Sequence, residues 1–371
     1  MSERETTVRR FRMKQERQLV EKILCALPFT APSPATAPLS LNRKRLPAKS
    51  RTGAAFRPER RNPTTVRLGP GDDAAILSTS GQSDLVVSCD AFIEGVHFLR
   101  KTHSADSVGY KSLARATSDL AAMGAAPRYF LLTLALPKPM AGRWLDSFLS
   151  GMARASRELG MSAIGGDTTV SSQVAISITV LGEIARGVAV GRAGARPGDL
   201  IYVSGRLGRA QLGLQLVLAG HAQNRTFRSA AAPHLYPKIQ VELGAWLARN
   251  RLATAMMDIS DGLSTDLARL CSASRVGARI YVDKIPCVAI PKAISQRIDK
   301  HKIDPLQMAL HGGEDYELLF TVSPSHAHQL RKAPDFAALA CIGEIARGKK
   351  MTLIDPEGKR LALKPLGWDP F

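Results

Sequence analysis

No stretch of the chain approaches the ~20 consecutive apolar residues that a membrane-crossing helix needs. The longest apolar runs, such as residues 130–137, are far shorter, so a membrane span is excluded. Cysteine is sparse. Cys25, Cys89, Cys271, Cys287 and Cys341 are scattered with no C-x-x-C pair, so neither a disulfide framework nor a zinc site is expected and a reducing compartment fits best. The N-terminus mixes Glu3, Glu5, Glu16 and Glu21 with its arginines and has no apolar h-region, which argues against a secretory signal. A cytoplasmic location is expected. The G-x-x-x-x-G-K-[ST] string is also missing, so any use of ATP proceeds without a P-loop. There is no regular βαβ period and no short internal repeat.

What is present is the composition of a globular protein: 371 residues, 45% hydrophobic and 22% charged, a length that predicts two or three domains. The net charge of +19 would suggest a polyanion partner, but it is unevenly placed. Residues 1–66 hold 15 Lys/Arg against 5 Asp/Glu, about half of the excess in a segment without catalytic motifs. A solvated basic tail is the first reading of this segment and a nucleic-acid arm the second.

Within that segment, Leu19, Ile23 and Leu27 recur at helical spacing over residues 15–27, and residues 28–66 then lose all periodicity. They read as a flexible insert. Beyond residue 66, short apolar runs alternate with helical patterns. Strands are predicted at residues 85–88, 129–136, 174–184, 200–203, 279–282 and 318–322, and helices at 105–123, 141–159, 210–219 and 262–274. The Gly- and Pro-containing stretch 192–199 joins two halves. The expected organisation is a basic segment at 1–66, an α/β domain at 67–191 and a second α/β domain at 192–371, in a mixed α/β (α+β) architecture.

The chemistry concentrates in aspartates beside glycine or at the ends of apolar runs: Gly71-Asp72-Asp73, Ser88-Cys89-Asp90, Ser118-Asp119, Gly165-Gly166-Asp167 and Asp258-Ile259-Ser260-Asp261-Gly262. Several follow an apolar run directly and should sit at strand ends, where mixed sheets present ligands. Carboxylates ~4 Å apart repel by about 4 kcal/mol at an effective dielectric of 20, and divalent cations compensate this. With no His or Cys constellation beside them, these hard oxygen donors select Mg²⁺ or Mn²⁺. Such a site suits nucleotide phosphates, so phosphoryl transfer is the default reading. Any single aspartate serves equally well as a turn former or N-cap, and Ser260 or Asp261 is placed to cap the helix that follows. It is the set that carries the reading.

Two glycine strings compete as cofactor loops. Residues 69–74 match G-x-G-x-x-A, but no helix follows and two acids would face a pyrophosphate. Residues 203–210 read as a tight turn between a strand and a helix. Glu314, in Gly312-Gly313-Glu314-Asp315-Tyr316-Glu317, sits on a glycine turn beside a strand, on backbone able to approach a ligand. His97 lies close in sequence to Asp90; a lone histidine is more often structural.

Five strings then occur in a telling order: residues 71–75, 118–125, 165–169, 258–263 and 312–318. Together they resemble the thiamine-monophosphate kinase family, in the superfamily that includes aminoimidazole ribonucleotide synthase, selenophosphate synthetase and a hydrogenase maturation factor. The resemblance runs from about residue 66 to the C-terminus, and residues 16–27 resemble the family's first helix. It implies a two-domain fold whose N-terminal domains pair across a homodimer barrel, and ATP-dependent conversion of thiamine monophosphate to thiamine diphosphate. It implies Mg²⁺ on Asp73, Asp90, Asp119, Asp167 and Asp258, with Asp261 joining and Ser88 and Cys89 included in the metal set. Gly166, Asp167, Arg192 and Ser260 would contact ATP, and His97, Glu314 and Trp368 the thiamine substrate.

The acceptor phosphate, with a second pKa of about 6, is already largely ionised near neutral pH and needs no catalytic base. Cys89 stands where that family usually has threonine, Pro370 where a histidine is common, and residues 28–66 lengthen the approach to the first aspartate loop. The alternatives are another ATP-dependent member of the superfamily acting on a different acceptor, or a nucleic-acid-binding protein using the basic tail.

Overall fold

The computed structural model describes residues 65–68, 71–78, 81–221, 224–297, 303–333 and 338–369. The expected first helix, the flexible insert and Cys25 lie outside the described residues.

Alternating apolar residues build the first sheet from β1 (Thr65–Leu68), β2 (Ala75–Ser78), β3 (Ser83–Ile93), β4 (Ala126–Leu136), β5 (Ser162–Val170) and β6 (Ala175–Ala185). Their order is β1-β2-β3-β6-β4-β5, antiparallel except for the β4–β5 pair. In β6, Ile176, Ile178, Val180 and Ile184 are buried, the period-two pattern of a sheet with one covered face. Each such side chain stabilises the fold by roughly 1.5–3 kcal/mol on full burial.

Helix α1 (Ala105–Ala122) packs against that face and against α2 (Arg143–Glu158). Ser104 caps α1 by accepting from the Ser107 N–H at 3.2 Å. The two helices approach backbone to backbone: a Cβ on Gly109 would lie 1.9 Å from the Phe148 carbonyl oxygen, and one on Gly151 1.9 Å from that of Asp106. Alanine, glycine, serine and threonine make up more than half of α1, and it is buried nearly throughout, as a helix enclosed by other elements must be.

The second sheet comprises β7 (Leu200–Ser204), β8 (Ala253–Asp258), β9 (Gly277–Tyr281), β10 (Leu318–Val322), β11 (Leu339–Ala346), β12 (Met351–Ile354) and β13 (Arg360–Ala362), in the order β13-β12-β9-β11-β7-β10-β8. With it go α3 (Arg209–Leu218), α4 (Arg228–Leu235), α5 (Val241–Arg249), α6 (Leu263–Ser274), the short α7 (Lys292–Ser295) and α8 (Pro305–His311). Helix α1 also touches α5 and β8, so it stands between the two sheets. No helix among the described residues is long and apolar enough to cross a membrane.

The predicted helices and strands recur within a few residues of their expected ends. Residues 165–167 are the exception: the expected glycine turn is the middle of edge strand β5. Gly166 reflects close pairing there, since a Cβ on it would meet the Leu132 carbonyl oxygen at 1.8 Å. The stretch at 203–210 is the expected turn, with Gly208 left-handed at φ 83° and Asp315 accepting from the Gly208 and Ala210 N–H groups at 2.6 and 2.9 Å. That carboxylate caps α3 from a distant segment.

Candidate active site

Asp73, Asp119 and Asp258 each offer a carboxylate oxygen, all within 4.8 Å of one another. They arrive from the loop before β2, from the end of α1 and from the end of β8. Asp90 of β3 and Asp261 of the loop before α6 line the same cleft, whose volume is about 670 Å³. Ser88 donates its hydroxyl to Asp119.

Strand alternation puts Ser88 and Asp90 on one face of β3 and Cys89 on the other. The Cys89 thiol is exposed there against the Ser177 and Thr179 hydroxyls of β6. Within one chain its side chain thus points away from the aspartate cluster.

Burial raises the carboxyls of Asp73, Asp119 and Asp258, and repulsion between neighbours adds to it at Asp119 and Asp258. Asp258 is pushed up to about 7, first by burial and then by Asp73. Asp119 lies well above its usual range through burial and then Asp258, Asp90 and Asp73. Asp73 is raised by burial against the pull of Arg192, and its Oδ2 is buried without a hydrogen-bond partner.

Arg192 donates Nη2 to Asp73 at 2.6 Å and its backbone N–H to Asp72 at 2.9 Å, so it stands at the carboxylate cluster. Arg192 is one cation set against the three clustered carboxyls of Asp73, Asp119 and Asp258. An orphaned carboxylate oxygen in an all-oxygen donor set fits a hard divalent cation.

At the other end of the cleft stand His97, Glu314 and Trp368. The His97 and Trp368 rings are 5.6 Å apart, and the Trp368 N–H donates to the Asp261 carbonyl at 3.0 Å, tying the C-terminal segment to the aspartate loop. The Glu314 N–H likewise donates to the Ser260 carbonyl at 2.7 Å. Glu314 and Tyr316 hold φ of 68° and 50°, strained values for residues other than glycine.

Burial alone would raise the Glu314 carboxyl, but Lys111 at 2.8 Å and His234 at 3.0 Å outweigh it and hold the group well below the usual range. His103 meets His234 at 3.0 Å behind them. Burial and Arg115 push His97 down to about 4, so it is neutral at physiological pH.

Lys111 and Arg115 were not singled out in the sequence, although the signal is there. Lys111, Arg115 and Asp119 recur at i, i+4 and i+8 in an otherwise small and apolar helix, one stripe about 12 Å long at 1.5 Å per residue. The stripe runs from Glu314, past Asp90, to the carboxylate cluster. Asp266 was missed too. It is fully buried and accepts from the Ser260 and Asp261 N–H groups at 3.1 and 3.0 Å. Neither Ser260 nor Asp261 caps α6, whose N-cap position is Gly262 with no side-chain bond. Both are left facing the cleft, and Arg269 pairs with Asp261.

Gly166 and Asp167 do not join this site within one chain. They line a second cleft with Leu149 and Met152. The Asp167 side chain is exposed and accepts from the Thr168 N–H at 2.8 Å. In the strand order β3-β6-β4-β5 they sit three strands from Asp90, roughly 14 Å of sheet.

Known proteins resemble this chain in sequence and fold. The AIR synthase related protein N-terminal domain matches residues 71–184, and the C-terminal domain of the same family matches residues 196–356. A thiamine-monophosphate kinase of Buchnera aphidicola from Schizaphis graminum is 35% identical over 82% of this chain and 92% of its own length. The chain belongs to the thiamine-monophosphate kinase family. The Escherichia coli K12 thiamine-monophosphate kinase is likewise 35% identical over the same shares. Among solved structures, AaThiL complexed with AMPPCP and TMP matches with a TM-score of 0.71 at 32% identity, covering 81% of this chain and 91% of that one. The two-domain AIR synthase-related fold expected for a thiamine-monophosphate kinase is thus the observed one.

Proposed function

We infer that this chain transfers the γ-phosphoryl group of ATP to thiamine monophosphate, giving thiamine diphosphate and ADP. The observation that carries the reading is one continuous cleft with a convergent aspartate cluster at one end and an aromatic and anionic pocket at the other. The similar kinase solved with AMPPCP and TMP supports both substrates.

Asp73, Asp90, Asp119, Asp258 and Asp261 would hold Mg²⁺, which supplies charge neutralisation for phosphate oxygens. Arg192 and Ser260 stand at that end to orient the nucleotide phosphates. At the other end Trp368 offers a π face and Glu314 a fixed negative charge to the cationic thiazolium. No side chain has to remove a proton, because the attacking phosphate oxygen is already ionised. The chain's task is positioning. Gly166 and Asp167 take no role here within a single subunit.

The same reading makes the protein a cytoplasmic homodimer. The four described cysteines are free thiols, in keeping with a reducing compartment. The uncovered face and edge of the first sheet expose Tyr129, Leu131, Ile164 and Val170, a surface suited to a second copy.

A coupled assay for ADP release with thiamine monophosphate, thiamine and other phosphorylated acceptors tests the reaction. Release that requires both Mg²⁺ and thiamine monophosphate is expected. Equal release with unrelated acceptors, or none with thiamine monophosphate, would overturn the assignment.

A further inference from the structure

The cleft has an uneven charge distribution. Four aspartates line one end, with Asp73 beside Asp119 and Asp258, Glu314 stands at the other, and among the described residues lining the cleft Arg115 is the single Lys or Arg. Lys111 lies behind the wall, paired with Glu314 at 2.8 Å, and Arg192 is held on Asp73. Yet the acceptor assigned above carries a phosphate close to a dianion at neutral pH. That phosphate must sit between the thiazolium pocket and the carboxylate cluster, in the most acidic part of the cleft.

Arg115 occupies this middle position. It is four residues along α1 from Asp119 and four from Lys111. Its guanidinium lies over the Phe92 ring at 5.2 Å, and Phe92 contacts His97, with ring centroids 5.7 Å apart. One terminal nitrogen donates to the Ala91 carbonyl at 3.1 Å, which together with the ring fixes the plane. Nε is ion-paired with Asp90 Oδ2 at 3.2 Å outside hydrogen-bond geometry, so it is buried without a hydrogen-bond partner. An oriented guanidinium that lines the cleft is preorganised for a tetrahedral oxyanion.

We propose that Arg115 binds the phosphate of the acceptor and sets the preference of the cleft for thiamine monophosphate over thiamine. The assignment rests on the kinase reading above. Arginine remains charged throughout the working pH range, so this recognition does not depend on a neighbour's protonation.

The test compares calorimetric dissociation constants of thiamine monophosphate and of thiamine for the full-length protein in Mg²⁺, with Arg115→Met and Arg115→Lys beside the wild type. Methionine keeps an unbranched apolar stem over Phe92 and removes the charge. The expected result in Arg115→Met is a thiamine monophosphate affinity lower by roughly 10- to 100-fold. The thiamine affinity and the KM for ATP should stay within about three-fold of wild type. Arg115→Lys, which keeps a point charge but loses the fork, should fall between.

Unchanged preference for the phosphorylated acceptor in Arg115→Met overturns the proposal. So does an equal loss for both acceptors, which would mark a structural role. If Arg115→Met does not fold, Arg115→Lys decides, and full retention of the preference there is refuting. A wild type that phosphorylates thiamine monophosphate but binds thiamine equally well refutes the role of Arg115 alone. A wild type that neither binds nor phosphorylates thiamine monophosphate refutes the kinase reading and this inference with it.

Discussion

Replacing Asp258 by asparagine should make the metal-free protein more stable while destroying its activity. The Asp258 carboxyl titrates near 7 in the folded chain against an ordinary 3.8, chiefly through burial and then through Asp73. Between those values the folded state binds the proton that the unfolded state has released, so stability falls as pH rises. The penalty is absent below about pH 4 and complete above about pH 7, and three pKa units correspond to roughly 4 kcal/mol. Because neighbouring aspartates share the strain, about 1–4 kcal/mol is the expected gain for Asp258→Asn at pH 8 in EDTA.

Differential scanning calorimetry at pH 5 and pH 8, with EDTA or with excess Mg²⁺, reads this directly. The variant should melt higher than wild type at pH 8 in EDTA and the advantage should shrink at pH 5. Saturating Mg²⁺ should return the lead to wild type, since a ligand at 100 times its Kd adds about 2.7 kcal/mol and the variant has lost one donor. A variant no more stable than wild type at pH 8 in EDTA, or an advantage unaffected by pH, would refute the account of the cluster as repelling carboxylates awaiting a cation.

Asp119→Asn should lower kcat on the order of 100-fold or more with the fold retained by circular dichroism; near-normal kcat would remove Asp119 from the metal set. Lys111→Met leaves the half-buried Glu314 with His234 as its remaining close ion-pair partner, which should cost roughly 1–3 kcal/mol in a urea melt; a loss below about 0.5 kcal/mol would mean the ion pair is not needed. Trp368→Ala should raise the KM for thiamine monophosphate about five-fold, the equivalent of about 1 kcal/mol of cation–π contact, with the KM for ATP unchanged; a shift in the ATP constant instead would place the ring elsewhere.

Much of the site was legible because its chemistry is written locally. Aspartates placed after apolar runs or beside glycines announce strand ends and tight turns, and Asp73, Asp119 and Asp258 did meet. Gly312 and Gly313 read as backbone able to approach a ligand, and what comes close is another segment: a Cβ on Gly313 would stand 2.6 Å from the Ser260 carbonyl oxygen. Asp315 read as part of the same acidic string, yet it caps α3, a contact of sequence separation 107 that no local pattern reveals. The stripe of Lys111, Arg115 and Asp119 was visible as a helical period but had no meaning until the helix was known to be enclosed. On an exposed helix the same spacing is a solvated face.

The chain by itself determined which residue types are available and which local elements carry them, since periods of two and of 3.6 and the conformations open to glycine are properties of neighbouring residues. It determined the hard-oxygen character of the site and the order of its loops. Tertiary structure decided which of those residues share a volume. Sheet order left Asp167 three strands away although its string resembles the others, strand alternation turned Cys89 to the opposite face, and the burial of α1 between two sheets made Arg115 part of a cleft wall. Each outcome depends on pairings between segments far apart in the chain, where the loss of chain entropy is repaid only by the contacts of the completed fold.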